Sequence, residues 1–97
     1  MKSKLKTTHG DKIWVSEDSK IHRERGPAFI SKTTKEWYKY GKRNRKDGPA
    51  FEAIDGVHLW FLNDELLDPV VTINDPILKA KYPKLIDSMV VYLIHNS

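Results

Sequence analysis

The stretch Glu36-Trp37-Tyr38-Lys39-Tyr40-Gly41-Lys42-Arg43-Asn44-Arg45-Lys46-Asp47-Gly48-Pro49-Ala50-Phe51 decides the fold, because both of its halves occur again in the 97-residue chain. Its tryptophan is the middle one of Trp14, Trp37 and Trp60, which stand at equal intervals (37 − 14 = 23 and 60 − 37 = 23). Gly10, Thr33 and Gly56 keep that interval ahead of each Trp, and Asp18, Gly41 and Asp64 keep it behind. The second half, Arg45 to Phe51, repeats Arg23-Glu24-Arg25-Gly26-Pro27-Ala28-Phe29 at an offset of 22 (45 − 23), so the first unit carries one extra residue between its Trp and the phrase. Self-similarity at a short fixed period marks a repeat protein, in which each unit buries its apolar side only by stacking on the next.

Each unit reads as a hairpin. Glu36 to Tyr40 and His58-Leu59-Trp60-Phe61-Leu62 alternate in strand fashion between turn residues,. Asp55-Gly56 is the dipeptide that a two-residue type I′ turn prefers, since both central residues need positive φ. His9-Gly10 holds the matching place in the first unit, while Thr33-Thr34 suits positive φ poorly and predicts a turn that is longer or of another type,. Gly26-Pro27 and Gly48-Pro49 punctuate the return strands, because Pro cannot donate to a ladder. The spacing predicts three stacked hairpins over residues 5–66. Trp14, Trp37 and Trp60 should form one buried stripe against Phe29 and Phe51.

The repeat ends at Leu66, and residues 67–97 read as a segment that covers the last hairpin. Val70-Val71-Thr72-Ile73 is β-branched enough for one more short strand. Asn74-Asp75-Pro76 has the form of a helix start, a cap followed by Pro at the first helical position. Beyond Pro83, Leu85, Met89, Tyr92 and Leu93 can share one helical face, which favours a helix over residues 84–95, although Met89 to Ile94 is β-branched enough to make a strand. The fold class expected is α+β: a mainly antiparallel β meander with a helical C-terminus, in one domain spanning 1–97.

Composition narrows the function. With 39% hydrophobic and 31% charged residues the chain is of ordinary globular type, and the absence of cysteine removes disulfide and thiolate chemistry,. No apolar run approaches membrane-spanning length, the longest being Met89 to Ile94, so a soluble cytoplasmic protein is expected. Net charge is +4, but residues 1–48 carry 14 cations against 6 anions (+8) and residues 49–97 carry 3 against 7 (−4). A two-ended molecule of this kind can steer an anionic partner or dock on a second copy, either through the first hairpin or head to tail.

The strongest binding signal is Lys42-Arg43-Asn44-Arg45-Lys46 beside Tyr38 and Tyr40, with Arg23 and Arg25 in the sister phrase. Cations that neutralise phosphates and rings that stack on bases make a single-strand or RNA surface, and the same run fits an acidic patch on a protein. No nucleophile elbow, phosphate loop or carboxylate pair stands at meaningful spacing, and no enzyme is expected. His9, His22, His58 and His95 are dispersed, which gives no metal site and no cofactor. His22 gives way to Asn44 in the second phrase, which predicts a structural role, and Arg45 with Asp47, two apart on one strand face, should lock the turn.

The phrase from Trp37 to Ala50 resembles the MORN-like repeat of phage and bacterial proteins, W-Y-x-x-G-x-x-H-R-x-D-G-P-A, over residues 10–66. Asn44 and Arg25 depart from its His and Asp positions, and no Gly-Pro-Ala comes after Trp60. The resemblance implies a non-enzymatic phage accessory protein, a binding module that inhibits or redirects a host or defence factor. RNA binding and self-assembly as a scaffold are the alternatives it leaves open.

Overall fold

The computed structural model describes residues 3–96; Met1, Lys2 and Ser97 lie outside them. Seven strands form one antiparallel sheet in the order β1 (Lys4–Thr8), β2 (Asp11–Val15), β3 (Phe29–Ile30), β4 (Thr34–Glu36), β7 (Phe51–Ala53), β8 (His58–Leu62) and β9 (Glu65–Leu67). Between β4 and β7 the chain makes a separate two-stranded ribbon, β5 (Tyr38–Lys39) with β6 (Lys42–Arg43). Three helices complete the described residues, α1 (Pro69–Thr72), α2 (Pro76–Lys81) and α3 (Pro83–His95). The fold is therefore the expected β meander with a C-terminal helix.

The recurring phrases act as joints between units. Ala28 accepts a hydrogen bond from the Trp14 N–H at 2.8 Å and donates to the Glu36 carbonyl at 2.8 Å; Ala50 accepts from Trp37 at 2.8 Å and donates to Leu59 at 2.9 Å. Phe29 also pairs with Glu36 and Phe51 with Leu59, so two residues face one at each joint, which is the count of a β-bulge,. Such bulges bend the strand. The chain leaves the main sheet beside them, at Trp37, and enters the ribbon. Both alanines are fully buried, leaving no room for a longer side chain.

Turn chemistry departs from the expectation at one point. Of Asp55-Gly56 only Gly56 has positive φ (94°), and Gly56 N–H donates to Ala53 while Ala53 N–H donates to Val57. That is a three-residue loop closed by a left-handed glycine, not a type I′ turn; the Asp55 carboxylate accepts the Val57 N–H and holds its own residue out of the left-handed region,. Two successive positive φ values occur instead at His9-Gly10 (51°, 87°), Tyr40-Gly41 (47°, 83°) and Asn63-Asp64 (50°, 68°). The last two stand three and four residues after a Trp. Each unit thus has a second hairpin end, and the extra residue of the first unit falls in the corresponding Ser16–Lys20 loop. The turn at Thr33-Thr34 is of another type rather than longer: no residue there has positive φ, the Ser31 N–H donates to the Thr34 carbonyl at 2.9 Å, and Ser31 Oγ accepts from both threonine N–H groups.

The tryptophans do not make one apolar stripe. Trp60 is 1% exposed and forms the core with Leu85, Ile86 and Met89, whereas Trp14 and Trp37 are half-buried, as are Phe29 and Phe51. The difference lies in the group that covers each ring. Arg23 lies over the Trp14 ring and Arg45 over the Trp37 ring, both at 3.9 Å; at Trp60 helix α3 takes the place of the arginine. Ser88 Oγ accepts the Trp60 indole N–H at 2.9 Å and the Tyr92 ring meets it edge-on at 5.1 Å.

The segment 70–72 is helix rather than strand. Asp68 accepts the Val70 N–H and Pro69 supplies a preset φ, so local capping outweighs the β-branched side chains,. Asp75 caps α2 through the Ile77 and Leu78 N–H groups. On α3 the buried residues are Leu85, Ile86 and Met89; Tyr92 and Leu93 lie at the margin of that face.

Candidate partner-binding groove

Repetition of the phrase builds two ledges, residues 23–26 and 44–47, with Trp37, Tyr38 and Lys39 between them. They enclose a groove of about 550 Å³. Its cations are Arg23, Arg25, Lys39, Arg45 and Lys46 and its anions Glu24 and Asp47, a formal balance of +3 (5 − 2). The ledges are held in register by equivalent bonds: Arg23 N–H to the Tyr38 carbonyl and Arg45 N–H to that of Phe61, at 3.3 and 3.2 Å.

Several residues that the sequence marks for binding are committed to the fold. Arg45 donates to the Pro49 carbonyl at 3.0 Å, pairs with Asp47 at 3.0 Å and with Glu52 at 2.8 Å, all while lying on Trp37. The expected lock between Arg45 and Asp47 is present. Arg23 repeats the pattern, donating to Pro27 at 3.1 Å. Gly26 and Gly48 make room for these guanidinium groups, since a Cβ at Gly48 would lie 2.8 Å from Arg45 Cζ. Arg43 stands 5.5 Å from the rings of Tyr38 and Phe61 and pairs with Glu36 at 3.6 Å.

The tyrosines are engaged too. Tyr38 donates its hydroxyl to Glu36 at 2.9 Å, and burial first, then this bond, push its pKa up to about 12,. Tyr40 stacks on His22 with ring centroids 3.9 Å apart and stays 39% exposed. Arg25, Lys42 and Lys46 are exposed and make no ion pair among the described residues. Those three cations, with Lys39 paired only to Glu24 at 3.8 Å, are the charge available to a partner.

His22 is a structural residue. It is fully buried, its Nδ1 accepts the Tyr40 N–H at 3.0 Å, and its Nε2 therefore carries the proton donated to Glu24 at 2.9 Å,. Asn44 Oδ1 accepts the Asn63 N–H at 3.0 Å in the next unit. A His and an Asn thus serve one purpose, satisfying the N–H of a left-handed turn residue. Among the described residues no His, Asp and Glu side chains gather in a group suited to a metal ion, and no helix is long and apolar enough to cross a membrane. No family model, curated protein or solved structure matches the chain.

Proposed function

We propose that the chain is a non-enzymatic binding module of MORN-like repeats whose groove takes a segment of a protein target in which carboxylates outnumber the cations beside them. On the resemblance in its repeats, it acts as a phage accessory protein on a host or defence factor in the cytoplasm. The observation that carries the reading is the mixed charge of the groove, where Arg25, Lys39 and Lys46 stand beside Glu24 and Asp47. Interleaved signs suit a polypeptide, which offers carboxylates, amides and cations along one strand, and they discriminate against partners of the wrong pattern.

A nucleic acid fits the groove less well. Phosphates would meet Glu24 and Asp47, and the rings that would stack on bases already carry partners, Trp14 under Arg23, Trp37 under Arg45 and Tyr40 on His22. The test is capture from bacterial lysate with and without nuclease, comparing the wild type with the double variant Arg25→Glu, Lys46→Glu. The reading expects a protein retained after nuclease and lost in the variant. Retention that nuclease abolishes, with a slope of log K against log salt near −2 from about three phosphates at roughly 0.7 each, would replace it with RNA binding.

A further inference from the structure

An open sheet has two edges, and in this chain they differ in charge. At one end lies β1, Lys4-Leu5-Lys6-Thr7-Thr8, every residue exposed and paired only to β2. At the other lies β9, whose surroundings read Asp64-Glu65-Leu66-Leu67-Asp68 and which is paired only to β8. Each edge carries one large apolar side chain in water, Leu5 at 50% and Leu66 at 58% exposure. The first edge places that leucine between two lysines; the second places it among carboxylates. Such edges offer unpaired backbone groups to another strand unless they are covered.

We infer that the partner for the β1 edge is the β9 edge of a second copy, so that the chain associates head to tail. Three observations carry this. First, the seven strands are antiparallel at every step, so β1 and β9 run in the same direction and a copy displaced across the sheet presents β9 alongside the next β1 as a parallel pair,. Second, the two edges are opposite in charge, Lys4 and Lys6 on one against Asp64, Glu65 and Asp68 about the other, and the same asymmetry holds for the whole chain, +8 in residues 1–48 and −4 in 49–97,. Third, both edges already continue a tryptophan strand. Leu5 is the cross-strand partner of Trp14 and Leu67 that of Trp60, so pairing the edges extends the layer that Ala28 and Ala50 join inside the array.

A symmetric pairing of two β1 strands is the competing arrangement. Centred on Leu5, it sets Lys4 of each copy opposite Lys6 of the other. Like charges directly opposite are destabilising, and two basic halves would be brought together. Head-to-tail contact avoids both. Because a heterologous contact does not close on two copies, the product is an open chain that grows with concentration.

Sedimentation velocity over a concentration series is the test, at low salt and again at about 0.5 M salt, where the Debye length is only a few ångström. The variants are Lys4→Glu, Lys6→Glu on one edge and Glu65→Lys on the other, all at exposed positions with no ion pair among the described residues. The inference expects mass that rises with concentration at low salt, falls at high salt, is lost in each variant alone, and returns when the two variants are mixed. A strict monomer at high concentration and low salt overturns it. So does association that persists in Glu65→Lys, which assigns the contact to paired β1 strands instead.

Discussion

Replacing Trp60 by Ala should destabilise the protein more than the same change at Trp37 or Trp14. An indole buries on the order of 200 Å², and at about 25 cal/mol per Å² complete burial stabilises by about 5 kcal/mol. Trp60 is 1% exposed and realises nearly all of this, with the Tyr92 edge contact and the bond to Ser88 in addition. Trp37 is only partly exposed, so its truncation should cost somewhat less, about 3 to 4 kcal/mol, a fall in Tm of roughly 12 to 30 °C for a domain of this size,. Because Trp60→Ala approaches the whole stability of a small domain, Trp60→Phe gives a second measurement: it keeps most of the area, loses the indole N–H, and should cost about 1 to 2 kcal/mol. Thermal and urea unfolding monitored by circular dichroism read all of these. The sequence alone favours the middle tryptophan, flanked on both sides, as the costliest. If Trp37→Ala proves as damaging as Trp60→Ala, the placement of the core under α3 is refuted.

Gly48→Ala should cost about 1 to 3 kcal/mol by pushing Arg45 off Trp37, and in an Arg45→Ala background the same change should cost little, which denaturant midpoints can check,. Tyr38, raised from 10.0 to about 12 by burial and by Glu36, adds a pH dependence. The folded chain holds that proton more tightly than the unfolded one, so this contribution is present below pH 10 and fades as pH rises through about 12,. Glu36→Gln should draw the tyrosinate titration of Tyr38 downward; an unmoved titration would mean that the bond to Glu36 does not matter.

Much of the array is legible in the residues because the signals are local. The 23-residue interval, the Gly-Pro-Ala phrases and the Asp75-Pro76 cap each fix backbone geometry without help from distant parts of the chain, and the hairpins and α2 stand where those signals are. Asp68-Pro69 is equally readable as a cap. There the β-branched run 70–73 draws the expectation toward a strand, although the short helix needs only Asp68 to hold the Val70 N–H. The second hairpin ends at Tyr40-Gly41 and Asn63-Asp64 carry one weak signal, the recurrence of Gly41 and Asp64 four residues past a Trp. Tyr40 in a left-handed conformation has no sequence signature, since His22 and its ring set it from a unit away.

The groove is only half legible. Composition marks Arg23, Arg43, Arg45 and Tyr38 as available charge and stacking surface, and only three-dimensional proximity shows that each is already bound, to Trp14, Glu36, Trp37 and Glu36 respectively. A hint does exist. Arg23 and Arg45 each precede a Gly by three residues and stand nine and eight residues after a Trp (23 − 14 and 45 − 37), a spacing that a binding surface does not require and a capping arginine does.

The central claim is that each phrase arginine caps the tryptophan before it, and a double-mutant cycle between Arg45→Met and Trp37→Leu tests it most directly. With the guanidinium 3.9 Å from the ring centroid, the account predicts a coupling of about 0.5 to 2 kcal/mol in urea unfolding, the double variant being less damaged than the sum of the singles,. Costs that simply add would contradict it, leaving Arg45 held by Pro49, Asp47 and Glu52 with no part in covering the ring.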